Sequence, residues 1–565
     1  MRVLLVNWAY IWDGAAVGGG ANGYLQALAL ELLRRGHDVV SLCGGTRFTA
    51  RDARVGPCEI RRHDDWLGIR VFEVVNSPVL APSILQFNAP EDEIAAPELE
   101  ARLAELLAWL RPDIVHFHNL EGFSAGCVEV AQRPNGDWPG ARVVVSLHNY
   151  HTICPQVYLM QGHARPCHSA EGGRRCEGCI EACDPREERL RRAGLAPQTD
   201  GVPPPPPRSP SVLGRLVRAI SLPMQNESPP PVANPTAPDP ASRPILGSAD
   251  VLLPRPRPGE ETRGRTVALR TEADAAFRPR PESPEWQPVD NGVYPEPSPD
   301  PSTRYGRRRL AMLRALNRCD AVLAVSGFVH RKFESLGVSP ARLRTLHIGT
   351  RVGELAARHA ELVFDPPPFD HDRPRPVRLA FMGYDNPYKG LHVLADALEL
   401  LTPEVLAHFQ VSVYALGGKR TEWRFSRLQP RLAGLRWFEG YEHRDIPWML
   451  GGQDLGVVPS TWWDNGPQTV FEFFACRVPV LGAALGGIPD FVRHGENGLL
   501  FRGNDRYDLA RTLARVAREP WMLTSLRAGV RPPKSIQAHA AEVEAVYAEC
   551  IHQASRRRDR LSRPV

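Results

Sequence analysis

The hydrophobic residues of this 565-residue chain fall into short apolar runs, separated by stretches with helical periodicity. The run Val3–Val6 predicts a buried strand, and the apolar positions from Tyr24 onward keep a 3.6-residue period up to Gly36, which predicts a helix. The run His37–Cys43 predicts the next strand. This order of strand, helix and strand indicates an α/β fold with a parallel sheet.

The same alternation continues through most of the chain. Further strands are predicted at Asp113–His118, Arg142–His148, Asp320–Ser326, Arg378–Gly383, Val411–Leu416 and Leu455–Val458. Further helices are predicted at Phe328–Leu336, Leu391–Leu401, Asp508–Val516 and Ser535–Cys550. The two series of strands and helices, separated by proline-rich stretches, therefore predict two α/β domains.

The proline-rich stretches set the domain boundaries. Residues 184–305 contain an unbroken proline run, Pro203–Pro207, and cannot bury enough apolar surface to offset the entropy of ordering. We therefore predict a mostly disordered insertion with one short helix at Val212–Ile220. The predicted boundaries are 1–183 and 306–350 for the first domain, 184–305 for the insertion, 351–376 for an interdomain linker, 377–530 for the second domain, and 531–565 for a C-terminal helix.

Composition and charge exclude several classes of function. Hydrophobic residues make up 43% of the chain and charged residues 24%, which is typical of a globular protein. The net charge of +5 is spread along the chain, which argues against nucleic-acid binding and is compatible with weak peripheral attraction to an anionic membrane surface or lipid carrier. No apolar run reaches the roughly 18 residues of a membrane span, and the N-terminus lacks a signal-peptide pattern, so we expect a cytoplasmic protein.

A polar loop follows the last predicted strand and leads into apolar residues at helical spacing. Ligands of α/β proteins bind at the carboxyl ends of strands, and a helix N-terminus at that position attracts anions. Asp464 lies in this loop, and Glu472 lies eight residues later, about two turns into the helix. A solvated surface could also carry two such carboxylates, but Gly466 and Pro467 within the loop and Gly486–Pro489 after it favour a binding site.

The stretch Pro459–Glu472 resembles the signature of the retaining glycosyltransferases of family 4, in which seven residues separate two carboxylates. The resemblance extends over nearly all of the chain outside the insertion. It implies the GT-B fold, in which two Rossmann-like domains face each other across a cleft, here with a long Pro-rich disordered insertion. It also implies that the C-terminal helix crosses back to the first domain and that the second domain binds the nucleotide sugar.

The activity that this resemblance implies is the transfer of a sugar from a UDP- or GDP-sugar to a glycan, a lipid-linked acceptor or a small molecule. Members of the family retain the anomeric configuration of the donor. They need no cofactor for this step, because protein cations take the place that a metal has in other glycosyltransferases. We therefore expect a hexosyltransferase that works without a catalytic metal.

The resemblance also implies roles for individual residues. Glu472 would hold the ribose, Asp464 would lie against the transferred sugar, and Lys389, followed by Gly390, would neutralise the leaving diphosphate. His148, at the end of a strand, would face the sugar. The predicted catalytic residues are His148, Lys389, Asp464 and Glu472. The predicted donor-binding residues are Gly19, Gly20, Lys389, Asn465, Gly466, Gln468, Thr469 and Glu472.

The glycine-rich segment near the N-terminus also fits a different motif. Gly18, Gly20 and Gly23 have the spacing of the dinucleotide-binding fingerprint. That fingerprint begins directly after the first strand and has an acidic residue at the end of the second strand. Here more than ten residues separate Val6 from Gly18, and the second strand ends at Cys43. We therefore reject an NAD site and expect Gly19 and Gly20 to approach the donor diphosphate.

Five of the eleven cysteines lie between Cys154 and Cys183. The pair Cys176 and Cys179 has the close spacing of zinc ligands, and with Cys167 and Cys183 it could supply four thiolates to a structural Zn²⁺. The alternative is a loop of buried, reduced thiols. These four cysteines therefore form a predicted zinc site.

Two positions depart from the family pattern. Asp464 is one methylene shorter than the usual glutamate, and Tyr384 stands where an arginine is common. Two alternatives therefore stay open: a catalytically silent nucleotide-sugar-binding protein whose Pro-rich segment recruits partners, and a nucleotide-sugar epimerase of the same fold. A glycosyl phosphorylase is disfavoured, because no lysine signature for pyridoxal phosphate is recognisable.

Overall fold

The computed structural model describes residues 1–195, 296–370, 374–417 and 419–561. Two α/β domains, each built on one large and mainly parallel sheet, confirm the predicted fold class. The disorder predicted for most of 184–305, and the helix predicted at Val212–Ile220, fall on residues outside the described ranges.

The first domain is built on an eight-stranded sheet. The strands of this domain are β1 Arg2–Val6, β2 Asp38–Gly44, β3 Ala50–Arg51, β4 Arg54–Val55, β5 Glu59–Arg62, β6 Arg70–Val75, β7 Ile114–Phe117, β8 Arg142–Leu147, β9 Met160–Gln161, β10 Arg165–Pro166, β11 Ala321–Ala324 and β12 Leu343–Thr345. The pairs β3-β4 and β9-β10 form two separate two-stranded sheets, and the other eight strands form the large sheet. Its helices are α1 Gly19–Arg34, α2 Pro97–Leu110, α3 Gly126–Gln132, α4 Pro185–Arg192, α5 Arg304–Arg318 and α6 Gly327–Ser335.

The strand order of this sheet is β12-β11-β8-β7-β1-β2-β6-β5, and only β5 and β6 pair antiparallel. From β1 the chain first adds β2 on one side and later adds β7 on the other. The order therefore reverses beside β1, and such a reversal leaves a crevice at the carboxyl ends of the strands where α/β proteins bind ligands. The loops after β1, β7 and β8 all open at this edge.

The second domain repeats this arrangement with six parallel strands. Its strands are β13 Val377–Tyr384, β14 Phe409–Leu416, β15 Gly434–Glu439, β16 Leu455–Val458, β17 Val480–Ala483 and β18 Gly498–Phe501. The helices from the linker onward are α7 Val352–Arg358, α8 Leu391–Glu399, α9 Pro403–Leu406, α10 Glu422–Leu428, α11 Ile446–Leu450, α12 Gln468–Ala475, α13 Ile488–Phe491, α14 Arg506–Arg518, α15 Met522–Gly529 and α16 Ile536–Leu561. The order β15-β14-β13-β16-β17-β18 reverses between β13 and β16.

The predicted strands agree with the observed ones to within two residues at each end. The helices differ more: α1 begins at Gly19, before the predicted start at Tyr24, and α16 continues past Cys550 to Leu561. Helix α4 forms inside the predicted insertion, because Asp184 caps its first turn and Arg192 donates hydrogen bonds to backbone carbonyls of the first domain.

Helix α16 follows the second domain in sequence but packs against the first. Arg35, just after α1, donates hydrogen bonds to Glu544, and Arg344 of β12 pairs with Glu549. Buried Val543 and Tyr547 join the apolar core of the first domain. Within the described parts of the chain, no helix has both the length and the apolar character needed to cross a bilayer.

A fully buried ionic cluster fixes the loop that follows β8. Glu93 binds Arg308 of α5 and His151, with N–O distances of 2.5 Å in both pairs. Arg308 also donates a hydrogen bond of 2.8 Å to the carbonyl of His151. Burial alone would raise the pKa of Glu93, but the charges of Arg308 and His151 outweigh burial and lower that pKa to about 2. The cluster therefore holds the segment next to His148 in place.

Replacing Arg308 by methionine should leave the Glu93 carboxylate buried without its main counterion. We expect Arg308→Met to lower the free energy of unfolding by about 3–5 kcal/mol, measured from the urea transition of the domain that contains it. Arg304→Met is the matched control, since Arg304 lies in the same helix but pairs with Glu91 at the surface. Its cost should stay below about 1 kcal/mol. Equal losses in the two variants would contradict the importance of the buried cluster.

Candidate functional site

The carboxyl edges of the two sheets meet near the start of α1. Because α1 begins at Gly19, the N–H groups of Gly19 and Gly20 lie in its first turn, where they have no acceptor within the helix. The carbonyl of Gly20 accepts a hydrogen bond of 2.7 Å from Nε2 of Gln468 in the second domain. A Cβ atom at Gly20 would lie 3.1 Å from the Gln468 side chain, so a glycine here allows the close approach. The segment of Gly19 and Gly20 and the first turn of α12 thus face each other.

Lys389 and Asp464 come together at the strand reversal of the second domain. Lys389 follows β13 and Asp464 follows β16, and these strands are neighbours in the sheet. Nζ of Lys389 lies 3.1 Å from Oδ2 of Asp464, which also accepts a hydrogen bond of 3.2 Å from Ser460. Asp464 is 4% exposed, so the ammonium group compensates the charge of a nearly buried carboxylate.

Gly486 and Gly487 support the loop that carries Asp464. Gly486 has φ of +59°, and a Cβ atom there would lie 2.3 Å from the Asp464 carbonyl oxygen. The N–H of Gly487 donates a hydrogen bond of 2.6 Å to the same carbonyl. Only glycine satisfies both the backbone conformation and the close contact at position 486. This is the physical role of the Gly486–Pro489 segment that the sequence pattern had pointed to.

Asn465 is the residue whose environment most clearly indicates a ligand. It is 4% exposed, and neither its Oδ1 nor its Nδ2 has a hydrogen-bond partner. Native proteins rarely leave both ends of a buried amide unpaired, because each group loses its bonds to water. Gly466 follows at the partly exposed end of the loop, near the ring of Phe491. The amide of Asn465 is therefore the polar group of this loop whose hydrogen bonds the protein itself leaves unmade.

Glu472 lies in the second turn of α12, with its side chain 5% exposed. Its Oε1 is 3.3 Å from Nε2 of His443. Burial opposes a charge on His443, but the hydrogen bond and charge of Glu472 outweigh it and raise the pKa of His443. Gln468 and Thr469 form the first turn of the same helix, and both are partly exposed. Their N–H groups lie in the first turn, where they have no acceptor within the helix.

His148 follows β8 and is held within the first domain. Its Nε2 lies 3.2 Å from Nδ1 of His118, and its ring centroid is 4.7 Å from that of Tyr24. Burial lowers the pKa of His148 to about 4, so the imidazole is neutral near pH 7. In the described residues it makes no hydrogen bond to Asp464 or Lys389. The structure thus groups the other predicted catalytic side chains in the second domain and places His148 across from them, in the first.

Contacts that the sequence did not predict hold the two domains together. The carbonyl of Trp463 accepts a hydrogen bond of 2.7 Å from Tyr150, and Nε1 of Trp463 donates one of 3.3 Å to the Cys167 carbonyl. Tyr384, in the position where the family often has an arginine, donates a hydrogen bond of 3.4 Å to the carbonyl of Ala15. These contacts, like that between Glu472 and His443, join positions far apart in sequence. No local sequence pattern predicts them.

The predicted zinc site at Cys167, Cys176, Cys179 and Cys183 is wrong. Among the described residues, no three His, Cys, Asp or Glu side chains are arranged to hold a metal ion. Cys183 bonds to the Leu85 carbonyl, away from the small cavity that the other three share with Cys154. Burial raises the pKa of the Cys176 thiol to about 12 and that of Cys183 to about 11, which favours thiols over the thiolates that zinc needs. None of these four cysteines forms a disulfide.

Comparison with known proteins agrees with this two-domain organisation. The model of the Glycosyltransferase Family 4 domain matches residues 18–173, and the model described as Glycosyl transferases group 1 matches residues 376–519. Together they cover more than half of the chain. A sucrose-phosphate synthase from Thermosynechococcus elongatus superposes with a TM-score of 0.54 at 14% identity, covering 98% of this chain and 100% of that one. This similarity shows the fold.

Curated relatives match shorter segments. A D-inositol 3-phosphate glycosyltransferase of Thermobispora bispora is 38% identical over 18% of this chain, and a chitobiosyldiphosphodolichol beta-mannosyltransferase of Mus musculus is 33% identical over 21%. A putative colanic acid biosynthesis glycosyltransferase of Salmonella typhimurium is 24% identical over 36%. The matched segments span 24%, 26% and 48% of these three relatives. The chain thus spans less than half of their lengths.

The two family models match the first and the second Rossmann-like domain in turn, and the contact of Gln468 with Gly20 joins the carboxyl edges of the two sheets. The chain belongs to the family 4, group 1 glycosyltransferases and has the GT-B fold.

Proposed function

We propose that the protein transfers a sugar from a nucleotide-sugar donor to an acceptor, with retention of the anomeric configuration and without a catalytic metal. The observation that carries this proposal is the unpartnered, buried amide of Asn465. Asn465 follows Asp464, which pairs with Lys389, and precedes by three residues Gln468, which contacts Gly20 in the first turn of α1. A sugar hydroxyl both donates and accepts hydrogen bonds, and so it satisfies both ends of such an amide.

The donor diphosphate would lie between the two facing helix N-termini. The N–H groups of Gly19 and Gly20 in α1, and those of Gln468 and Thr469 in α12, are oriented to bind an anion. Lys389, which pairs with Asp464 in the loop that leads into α12, supplies a full positive charge. Because an ammonium group can neutralise charge that develops on the leaving diphosphate, it performs the task that a divalent metal has in other glycosyltransferases.

The rest of the donor would be held on either side of the diphosphate. Glu472 would accept hydrogen bonds from the ribose hydroxyls, with His443 fixing the orientation of its carboxylate. Asp464, Asn465 and His148 would bind the hydroxyls of the transferred sugar. In the transfer step, the bond from the anomeric carbon to the phosphate breaks while the acceptor oxygen attacks on the same face. The acceptor proton passes to the leaving phosphate oxygen.

The acceptor would be a glycan, a lipid-linked sugar or a small molecule. The name of the mouse relative specifies a dolichol-linked acceptor, and the net charge of +5 would favour contact with an anionic lipid surface. We therefore include a lipid-linked acceptor at a membrane face among the substrates to be tried first, with UDP- and GDP-sugars as donors.

Glu472→Ala should remove the ribose contact while leaving the fold intact. We expect kcat/KM for the donor to fall at least about 100-fold, measured as transfer or donor hydrolysis after a thermal-shift screen has identified the nucleotide sugar. Glu496→Ala is the matched control, because the Glu496 side chain is 65% exposed and pairs only with nearby Arg493. Activity close to that of the unmodified protein in Glu472→Ala would refute the assignment.

The anomeric configuration of the product tests retention directly. With an α-configured donor we expect an α-linked product, because attack and departure take place on the same face of the sugar. The one-bond carbon–hydrogen coupling at the anomeric carbon of the purified product distinguishes the two outcomes by NMR. A β-linked product would show inversion and would require a protein base at the acceptor.

The variant Asn465→Ala tests whether the amide of Asn465 serves donor binding or the stability of the fold. Because the amide has no partner in the free protein, its removal should leave the melting temperature equal or higher, while the donor KM rises about 10- to 100-fold. Asn497→Ala is the control, since that amide bonds the backbone at Phe491 and Arg493 and should lower stability without changing KM. A marked loss of stability in Asn465→Ala with unchanged KM would assign the amide a structural role.

A further inference from the structure

A network of buried histidine and tyrosine side chains links His148 to the C-terminal helix α16. Burial lowers the pKa of His116 and His118 well below the usual value and that of His539 to about 3, so all three imidazoles are neutral. Two side chains of α16, His539 and Tyr547, take part in the network. They lie more than 390 residues after His148 in sequence.

One arm of the network starts at Tyr547. Its hydroxyl lies 2.7 Å from Nδ1 of His116, whose Nε2 lies 2.8 Å from the Ser146 hydroxyl. The ring of His116 packs on that of His118 with a centroid distance of 4.1 Å. Nδ1 of His118 in turn lies 3.2 Å from Nε2 of His148. Tyr547 thus holds the ring of His116 in place. His118, the hydrogen-bond partner of His148, packs against that ring.

The second arm starts at His539. Its Nε2 lies 2.7 Å from the hydroxyl of Tyr24 in α1. The ring of Tyr24 is 4% exposed and contacts His148 with a centroid distance of 4.7 Å. The imidazole of His148 is therefore held by a hydrogen bond on one side and by an aromatic ring on the other, and α16 anchors both.

The partners also determine which nitrogen of His148 carries the proton. Nε2 of His118 is buried and has no hydrogen-bond partner. A proton there would be a buried, unpaired N–H donor, which is rarer in proteins than an unpaired acceptor. The proton of His118 therefore lies on Nδ1 and is donated to Nε2 of His148. It follows that neutral His148 carries its own proton on Nδ1, which makes no hydrogen bond within the described residues.

We propose that α16 is a positioning element of the site: Tyr547 and His539 hold the rings of His116 and Tyr24 against His118 and His148. This preserves the hydrogen bond from His118 that leaves the Nδ1–H of His148 as a donor to an oxygen of the transferred sugar. Tyr547, His539 and Tyr24 are positioning residues, since they act through His148. The proposal rests on the proposed function for the identity of the ligand. The ring orientation and the proton position, however, are properties of the protein alone and can be measured without a substrate.

The tautomer is tested first, on the full chain labelled with ¹⁵N-histidine. The His148 signals are identified by their loss in His148→Gln, and the proton is located from the ¹⁵N NMR shifts of the ring. We expect the proton on Nδ1 in the unmodified protein, and a mixture of tautomers in Tyr547→Phe and Tyr24→Phe. A proton on Nε2 of His148, or ring signals unchanged in both variants, would overturn the proposal whether or not the protein transfers sugar.

Kinetics with the identified donor test the consequence for catalysis. Tyr547→Phe and Tyr24→Phe remove one hydroxyl each and keep the ring, and each should lower kcat about 10- to 100-fold with a smaller change in donor KM. The same substitutions made in a His148→Gln background should change kcat less than about twofold, because their effect passes through His148. Losses that multiply in the double variants would mean that Tyr547 and Tyr24 act independently of His148.

Glu544→Gln serves as the matched control. Glu544 also lies on α16 and contacts the first domain, through Arg35 and His37. No contact among the described residues joins it to His148. We expect its kcat to stay within about twofold of the unmodified protein even if its stability falls. An equal loss of kcat in Glu544→Gln would assign the effect to general loosening of α16. A chain that transfers no sugar would overturn the proposed function and leave the tautomer measurement as the deciding test.

Discussion

The geometry of parallel sheets is the constraint on which the rest of the structure depends. In a parallel sheet every strand ends at the same edge, so the loops that follow β1, β8, β13 and β16 can lie only at two edges, one in each domain. The hydrogen bond from Gln468 to Gly20, with those of Tyr150 to Trp463 and Tyr384 to Ala15, turns these edges toward each other. Residues from remote parts of the chain thereby line one cleft.

This constraint explains why so much of the fold could be predicted from the sequence. Buried parallel strands appear as short apolar runs, and each is followed by a polar loop, so Leu455–Val458 and the loop carrying Asp464 could be located without knowing the sheet order. The segment Gly486–Pro489 could be located from its sequence pattern. The structure explains that pattern, because only glycine fits the backbone conformation at position 486 and the contact with Asp464. Local periodicity failed at the helix ends: it predicts that the last helix ends at Cys550, whereas α16 continues to Leu561.

What the sequence could not supply are contacts between distant positions. The pairing of Glu472 with His443, and of His539 with Tyr24, depends on how strands are ordered and how domains close, and no local pattern encodes either. For the cysteines, the local pattern predicted a site that the structure does not form. Their spacing is that of a metal site, yet the chain directs Cys183 toward Leu85 and away from the other predicted ligands. The unpaired state of Asn465 is likewise visible only after every possible partner has been located.

The titratable groups of the proposed site are already engaged with one another. Asp464 is paired with Lys389, Glu472 with His443, and His148 is neutral because burial lowers its pKa to about 4. A diphosphate that binds Lys389 must compete with Asp464 for the ammonium group, so the pair keeps the lysine in position and the buried charge balanced before the donor arrives. None of these side chains is left as an unpaired base for the acceptor hydroxyl. In the proposed reaction the strongest base beside the attacking oxygen is then the departing phosphate itself, which lies on the same face of the sugar and accepts the proton as the new bond forms.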